Sequence, residues 1–116
     1  MKFDEILRRL DAEVVHRGAA FETAELENVA ASDLMSDVLV TDAPRLLIVT
    51  SLASDQTIRT ADIVGALGVA VVNGKTLPEN MRRLARDLNV TLLRSPLSKF
   101  EACVALRALS LRPAHV

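Results

Sequence analysis

Apolar and polar residues recur along this chain at two periods, and the switches between them predict an α/β domain. Phe3, Ile6, Leu7 and Leu10 stand at helical spacing with Asp4, Glu5, Arg8 and Arg9 opposite them, which makes residues 3–11 a short amphipathic helix. Glu13-Val14-Val15-His16 is short and rich in β-branched residues, and Gly18 closes it with turn chemistry, so a strand follows. In residues 19–31 the apolar positions Phe21, Leu26 and Val29 fit neither period, and Asn28 to Ala31 reads as a weak strand. Ser32-Asp33 then offers a helix start, Ser32 as N-cap and Asp33 as a favourable charge in the first turn. The helix runs from Asp33 to Leu39, with Leu34, Met35 and Val38 inward.

From Arg45 onward the pattern is regular. An apolar run Leu46 to Val49 leads into a polar loop, Thr50 to Gln56, and a helix from about Thr57 to Leu67 that Gly68 ends. Val69 to Val72 is the next strand and Asn73-Gly74-Lys75 the turn after it. Leu77-Pro78-Glu79 opens a helix that keeps Met81, Leu84, Ala85 and Leu88 on one face. Asn89 is its C-cap, Val90 to Leu93 the last strand, and Ser95-Pro96 the start of the final helix, serine as cap and proline as first residue. Strand and helix alternate three times. Right-handed crossovers make such strands parallel, giving a small, mostly parallel sheet of about four to five strands with helices on both faces. No linker or repeat divides residues 1–116, which are expected to form a single domain.

Composition refines this picture. Half of the 116 residues are hydrophobic but only Phe3, Phe21 and Phe100 are aromatic, so the core is built from Val, Leu, Ile and Ala, as suits a covered parallel sheet. Fourteen basic residues against 15 acidic ones leave a net charge of −1. That balance supplies no field for a polyanion and argues against nucleic acid as a partner; the cluster Arg82, Arg83 and Arg86 reads as a solvated helix face. A lone Cys103, no zinc spacing, no secretory h-region and no run of 18 apolar residues point to a cytoplasmic protein without a membrane partner. The final helix carries Phe100, Ala102, Cys103, Val104, Ala105, Leu106 and Leu109 almost all round. A helix of that kind is buried nearly all round, and in so small a domain the second covering surface is expected to be another copy of the chain, a homodimer.

Few residues promise catalysis. Gly74-Lys75-Thr76 has the ending of a P-loop, but the required glycine five positions earlier is Val69, within a strand. Ser51, Ser54, Asp55 and His16 lack a Gly-x-Ser-x-Gly elbow, and the other histidine, His115, is next to the end of the sequence. Asp33 and Asp37, one helical turn apart, are explained by capping and solvation, and Cys103 behaves as a small hydrophobe. No catalytic residue, metal or cofactor is expected. What remains is the crevice beyond the carboxyl ends of a parallel sheet, where ligands bind in such folds. Thr50-Ser51, Asn73-Gly74-Lys75 and Arg94-Ser95 lie at those ends, and the helix start at Ser95 would present free N–H groups to an anion.

Three stretches carry a family resemblance: Ala30-Ala31-Ser32-Asp33-Leu34-Met35-Ser36-Asp37-Val38, then Val71-Val72-Asn73-Gly74-Lys75, then Leu92-Leu93-Arg94-Ser95-Pro96-Leu97-Ser98-Lys99-Phe100-Glu101. In order and spacing, over about residues 10–110, the chain resembles the DRTGG domain, in its short stand-alone form. The family's namesake Asp-Arg-x-x-Gly-Gly would fall at residues 24–31, where this chain reads Ala-Glu-Leu-Glu-Asn-Val-Ala-Ala. The resemblance implies a bacterial or archaeal α/β module similar to the N-terminal, non-catalytic domain of HPr kinase/phosphorylase. A regulatory or ligand-sensing role is the first expectation, with Ser32, Asp33, Thr50, Ser51, Asn73, Gly74, Lys75 and Ser95 as the ligand-binding candidates. The expected ligand is small and anionic or polar, with a protein partner as the other possibility. The alternative role is an adaptor subunit of a hydrogenase-type redox complex, docking through the last helix.

Overall fold

The computed structural model describes residues 1–114; His115 lies outside them. The elements in chain order are α1 (Phe3–Leu10), β1 (Glu13–His16), β2 (Asn28–Ala31), α2 (Met35–Val38), β3 (Leu46–Thr50), α3 (Asp55–Val64), β4 (Gly68–Val71), α4 (Glu79–Asp87), β5 (Thr91–Arg94), α5 (Lys99–Ala108) and β6 (Arg112–Pro113). They form one six-stranded sheet in the order β1-β5-β4-β3-β2-β6. Among the described residues, only the β1–β5 pairing is antiparallel. The expected α/β architecture is thus present, with β6 as a further short strand.

Strands β2, β3, β4 and β5 are added in one direction across the sheet, so right-handed connections put α2, α3 and α4 on the same face. After β5 the chain reverses, and α5 returns over the other face to place β6 outside β2. Side-chain alternation follows this layering. Ala30, Ile48, Val69, Val71 and Leu92 pack with Met35, Ile58 and Met81 of α2, α3 and α4. Leu47, Val49, Ala70 and Leu93 pack with Phe3, Ile6 and Leu10 of α1 and Ala102 and Leu106 of α5. Every residue of β3 and β4 is buried, which is why those two runs are uninterruptedly apolar and therefore legible as parallel strands. Phe21, at neither period in sequence, is buried by stacking on Phe3, ring centroids 5.1 Å apart.

Several helix boundaries differ from expectation. Helix α3 starts at Asp55, because the Ser54 hydroxyl accepts from the Gln56 N–H, and ends at Gly65 in the left-handed region (φ 70°). Gly68 instead opens β4, where the Phe3 ring approaches so closely that an added Cβ would sit 2.8 Å from it. Helix α2 is only one turn long, has no side-chain cap, and leaves Leu34 outside it and exposed. Asp33 and Asp37 are therefore not one helical turn apart. Helix α5 begins at Lys99 with Ser98 and Glu101 forming a reciprocal capping box. Ser95 and Pro96 lie before the helix, so Ser95 is not its cap. Nor is α5 buried nearly all round: Ala102 and Leu106 are, whereas Phe100 is 78% exposed and Val104 55%. Asn89, by contrast, does terminate α4, adopting φ 59° just beyond Leu88.

Candidate functional site

Parallel pairing brings the carboxyl ends of β2, β3, β4 and β5 to one edge of the sheet, and all eight predicted ligand-binding residues lie along it. Spatial strand order divides them into two clusters. The first joins the end of β2 to the end of β3. The Ser32 hydroxyl accepts from the Leu34 N–H at 3.1 Å, a local turn that replaces the expected helix cap and leaves the Asp33 carboxylate free to reach β3. One Asp33 oxygen accepts from the Thr50 hydroxyl (2.9 Å) and the Ser51 N–H (2.7 Å). The other accepts from the Ser51 hydroxyl (2.8 Å) and the Lys99 ammonium at the start of α5 (2.5 Å).

Partial desolvation works to raise the Asp33 pKa, but hydrogen bonds from Lys99, from Ser51 through both backbone and side chain, and from Thr50 together hold it well below the usual carboxylate range. Four donors from the end of β3 and the start of α5 thus converge on one anion, and that anion belongs to the chain itself. Lys99 is the member that sequence reasoning missed. Its place beside the Ser98 cap marks it as first in the helix, but only the return of α5 across the sheet brings it to β2.

The second cluster lies where β4 and β5 end. The helices after these neighbouring strands go to opposite faces of the sheet, the arrangement that opens a binding crevice in α/β folds. Here the chain's own backbone closes it. Asn73 and Gly74 both adopt left-handed conformations, φ 67° and 60°. The Asn73 N–H donates to the Leu97 carbonyl (2.7 Å), the Gly74 N–H to the Ser95 carbonyl (2.9 Å) and the Ser95 N–H to the Val71 carbonyl (2.8 Å). Ser95 is fully buried; its hydroxyl donates to the Leu10 carbonyl (2.6 Å) and accepts from the Leu97 N–H (3.2 Å), tying α1 to the end of the sheet. Lys75 is exposed. Arg94, at the end of β5, braces the turn by donating to the Lys75 carbonyl (2.6 Å) and the Gly74 carbonyl (3.2 Å), and it pairs with Glu13 of β1 at 3.1 Å. It also borders two shallow hollows, about 350 Å³ beside Asp11 and Pro96 and about 200 Å³ beside Thr76 and Arg82.

Among the described residues, the hydrolytic candidates Ser51, Ser54 and His16 are not brought together. Ser51 follows β3 at the carboxyl edge, whereas His16 places Nδ1 3.0 Å from the carbonyl of Val90, at the opposite end of β5. Ser54 is spent as the α3 cap. Gly74-Lys75-Thr76 is a left-handed turn followed by extended chain up to the α4 start at Glu79, not a phosphate loop. Among the described residues, no group of three or more His, Cys, Asp or Glu side chains is placed to hold a metal, and no helix is long and apolar enough to cross a membrane.

Fold and edge together define a small three-layer α/β domain whose polar loops gather at the carboxyl ends of a parallel sheet. No family model matches the chain, and no curated protein does. Among solved structures it is similar to the CBS and DRTGG domains of the regulatory region of Clostridium perfringens pyrophosphatase, complexed with its activator diadenosine tetraphosphate. The TM-score is 0.76 at 17% identity, over 90% of this chain and 45% of that one. The chain therefore spans less than half the length of that structure, and the likeness is one of fold. It is a likeness to a DRTGG-containing region, and does not bear on the resemblance to HPr kinase/phosphorylase.

Proposed function

We propose that this chain is a non-catalytic regulatory module of the DRTGG type that responds to a small anionic ligand at the carboxyl edge of its sheet. The observation that carries this reading is the fold it shares with part of a regulatory region that binds a nucleotide activator. The chemistry of the edge agrees with it. Thr50, Ser51 and Lys99 already hold one carboxylate, that of Asp33, and the same kinds of donor accept phosphate or carboxylate oxygens from a ligand. Lys75 and Arg94 add positive charge further along.

The test is a titration of the purified protein with diadenosine tetraphosphate, ATP, AMP and inorganic phosphate, read by thermal unfolding and calorimetry. A ligand at about one hundred times its dissociation constant stabilises the folded state by about 2.7 kcal/mol. Such a shift, lost in Lys75→Ala or Ser51→Ala, is the expected result. An unchanged melting temperature with all four compounds overturns the reading, and sustained phosphoryl transfer from magnesium ATP to any protein overturns its non-catalytic part. The adaptor role in a redox complex draws only on the exposed apolar side of α5, where Phe100 and Val104 face outward.

A further inference from the structure

The two clusters of the carboxyl edge differ in how their cations are satisfied. Around Asp33 one carboxylate takes all four donors, and Lys99 is neutralised by it. Around Arg94 the charges are only partly matched. Its Nε and Nη2 donate to the Lys75 and Gly74 carbonyls, which fix the guanidinium plane without neutralising its charge. Among the described residues, its carboxylate partner is Glu13 at 3.1 Å, a side chain 64% exposed. Arg82, in the first turns of α4, donates to Glu79 at 2.8 Å, and Glu79 is shared with Arg86 at 3.4 Å. Two guanidinium groups thus divide one exposed carboxylate.

Arg82 and Arg94 come from different elements yet line one hollow of about 200 Å³, together with Glu13, Thr76 and the apolar Val15 and Leu77. Strand register brings them together. Glu13 is paired with Arg94 across β1 and β5, Val15 packs with the α4 side of the core, and Thr76 and Leu77 lead from the end of β4 into α4. Leu77 is buried, and a floor of low polarity strengthens the attraction of the two arginines for an anion. The first turn of α4 has no side-chain cap, and its dipole adds to the positive potential.

Building on the reading of the carboxyl edge as a ligand site, we infer that this hollow holds the ligand's phosphate group. Arg94 and Arg82 clamp its oxygens, Thr76 lies beside them, and Glu13 is the carboxylate that the phosphate displaces. Arginine suits this task because its planar fork meets two phosphate oxygens at once. Arg94 is also preorganised, since the two carbonyls orient it whether or not Glu13 is present, and a preorganised group binds at lower entropic cost. Pockets that enclose a drug-sized ligand measure about 300–1,000 Å³, so the smaller hollow fits one phosphate group. The neighbouring hollow of about 350 Å³ shares Glu13 and Arg94 as its wall, and displacement of Glu13 opens it to the remainder of the ligand.

The test is a titration of the full chain with inorganic phosphate and AMP, with adenosine as the phosphate-free control, followed by calorimetry and by amide chemical shifts. Concentrations up to about 10 mM cover dissociation constants near 1 mM. Saturable shifts at the Val15 and Thr76 amides are expected with phosphate and AMP and not with adenosine. Arg82→Ala and Glu13→Gln alter exposed side chains, so both variants retain the wild-type fold. Arg82→Ala is expected to weaken phosphate binding about tenfold or more. Glu13→Gln, which removes the competing carboxylate, is expected to strengthen it about two- to fivefold. Binding that Ser51→Ala abolishes and Arg82→Ala leaves intact overturns this placement and keeps the carboxyl edge as the ligand site. Glu13→Gln that fails to strengthen binding, or adenosine that binds as tightly as AMP, likewise overturns the placement alone. No saturable response to phosphate or AMP overturns it together with the ligand reading.

Discussion

Replacing Asp33 tests the central contact of the carboxyl edge. Its carboxylate accepts four hydrogen bonds, from Thr50, the backbone and side chain of Ser51, and Lys99, and so ties β2, β3 and α5 together. The side chain is 43% exposed, so solvent screens the ion pair to about 0–1 kcal/mol and water replaces part of what a substitution removes. With net hydrogen-bond values of about 0.5–1.5 kcal/mol, Asp33→Ala is expected to cost about 1–3 kcal/mol. Asp33→Asn keeps one acceptor for Thr50 and the Ser51 N–H, and should cost about half as much. At this chain length each kcal/mol lowers the melting temperature by about 4 °C, well within the resolution of a calorimetric scan.

The pH dependence supplies a second, independent readout. The folded-state pKa of Asp33 is lowered from its ordinary value, so its contribution is fully present above the unfolded pKa of about 3.9 and is lost as pH falls towards the lowered folded value. The stability gap between wild type and Asp33→Ala should hold constant from neutral pH to about pH 5 and narrow below about pH 4. Equal urea midpoints for the two proteins at pH 7, or a gap that does not shrink on acidification, would refute the network as drawn.

Other substitutions probe how the layers are held. Gly68→Ala pushes a methyl group to 2.8 Å from the Phe3 ring and 3.3 Å from the Thr91 carbonyl, so overpacking should lower urea stability by about 1–3 kcal/mol. Gly65→Ala meets no atom within 4 Å but keeps φ at 70°, and should cost only the conformational term of about 1 kcal/mol; equal losses at the two glycines would contradict the close approach of α1 to β4. Ser95→Ala strips the buried Leu10 carbonyl and the Leu97 N–H of their partner, an expected loss of about 1–3 kcal/mol, against about 1 kcal/mol for removing the α5 cap in Ser98→Ala. A larger effect at Ser98 than at Ser95, measured by chemical denaturation, would count against Ser95 as the bridge between α1 and the sheet.

Local chemistry explains which parts of this protein were legible in its sequence. Strands β3 and β4 are buried on both faces, so they appear as unbroken runs of apolar residues. Helices α1 and α4 bury one side only, so they carry a clean helical period. The carboxyl-edge location of the polar loops followed from the alternation of these elements alone, because right-handed crossovers leave parallel strands no other arrangement. Boundaries governed by side-chain competition were less legible. Ser95, Ser98 and Ser54 are equally good caps in composition; burial took Ser95 for the Leu10 carbonyl, and Glu101 three residues on marked Ser98 as the true cap.

Tertiary structure alone decided what Asp33 does. As a residue after Ser32 and before an apolar run, it carries the signature of a helix first turn, and that signal is local. Its partners Thr50, Ser51 and Lys99 lie 17, 18 and 66 residues away, and they converge because β2 pairs with β3 while α5 returns over the opposite face. Nor could sequence tell which apolar residues of α5 would remain uncovered. Ala102 and Phe100 are both apolar, and only the position of the helix on the sheet turned one into the core and left the other facing outward.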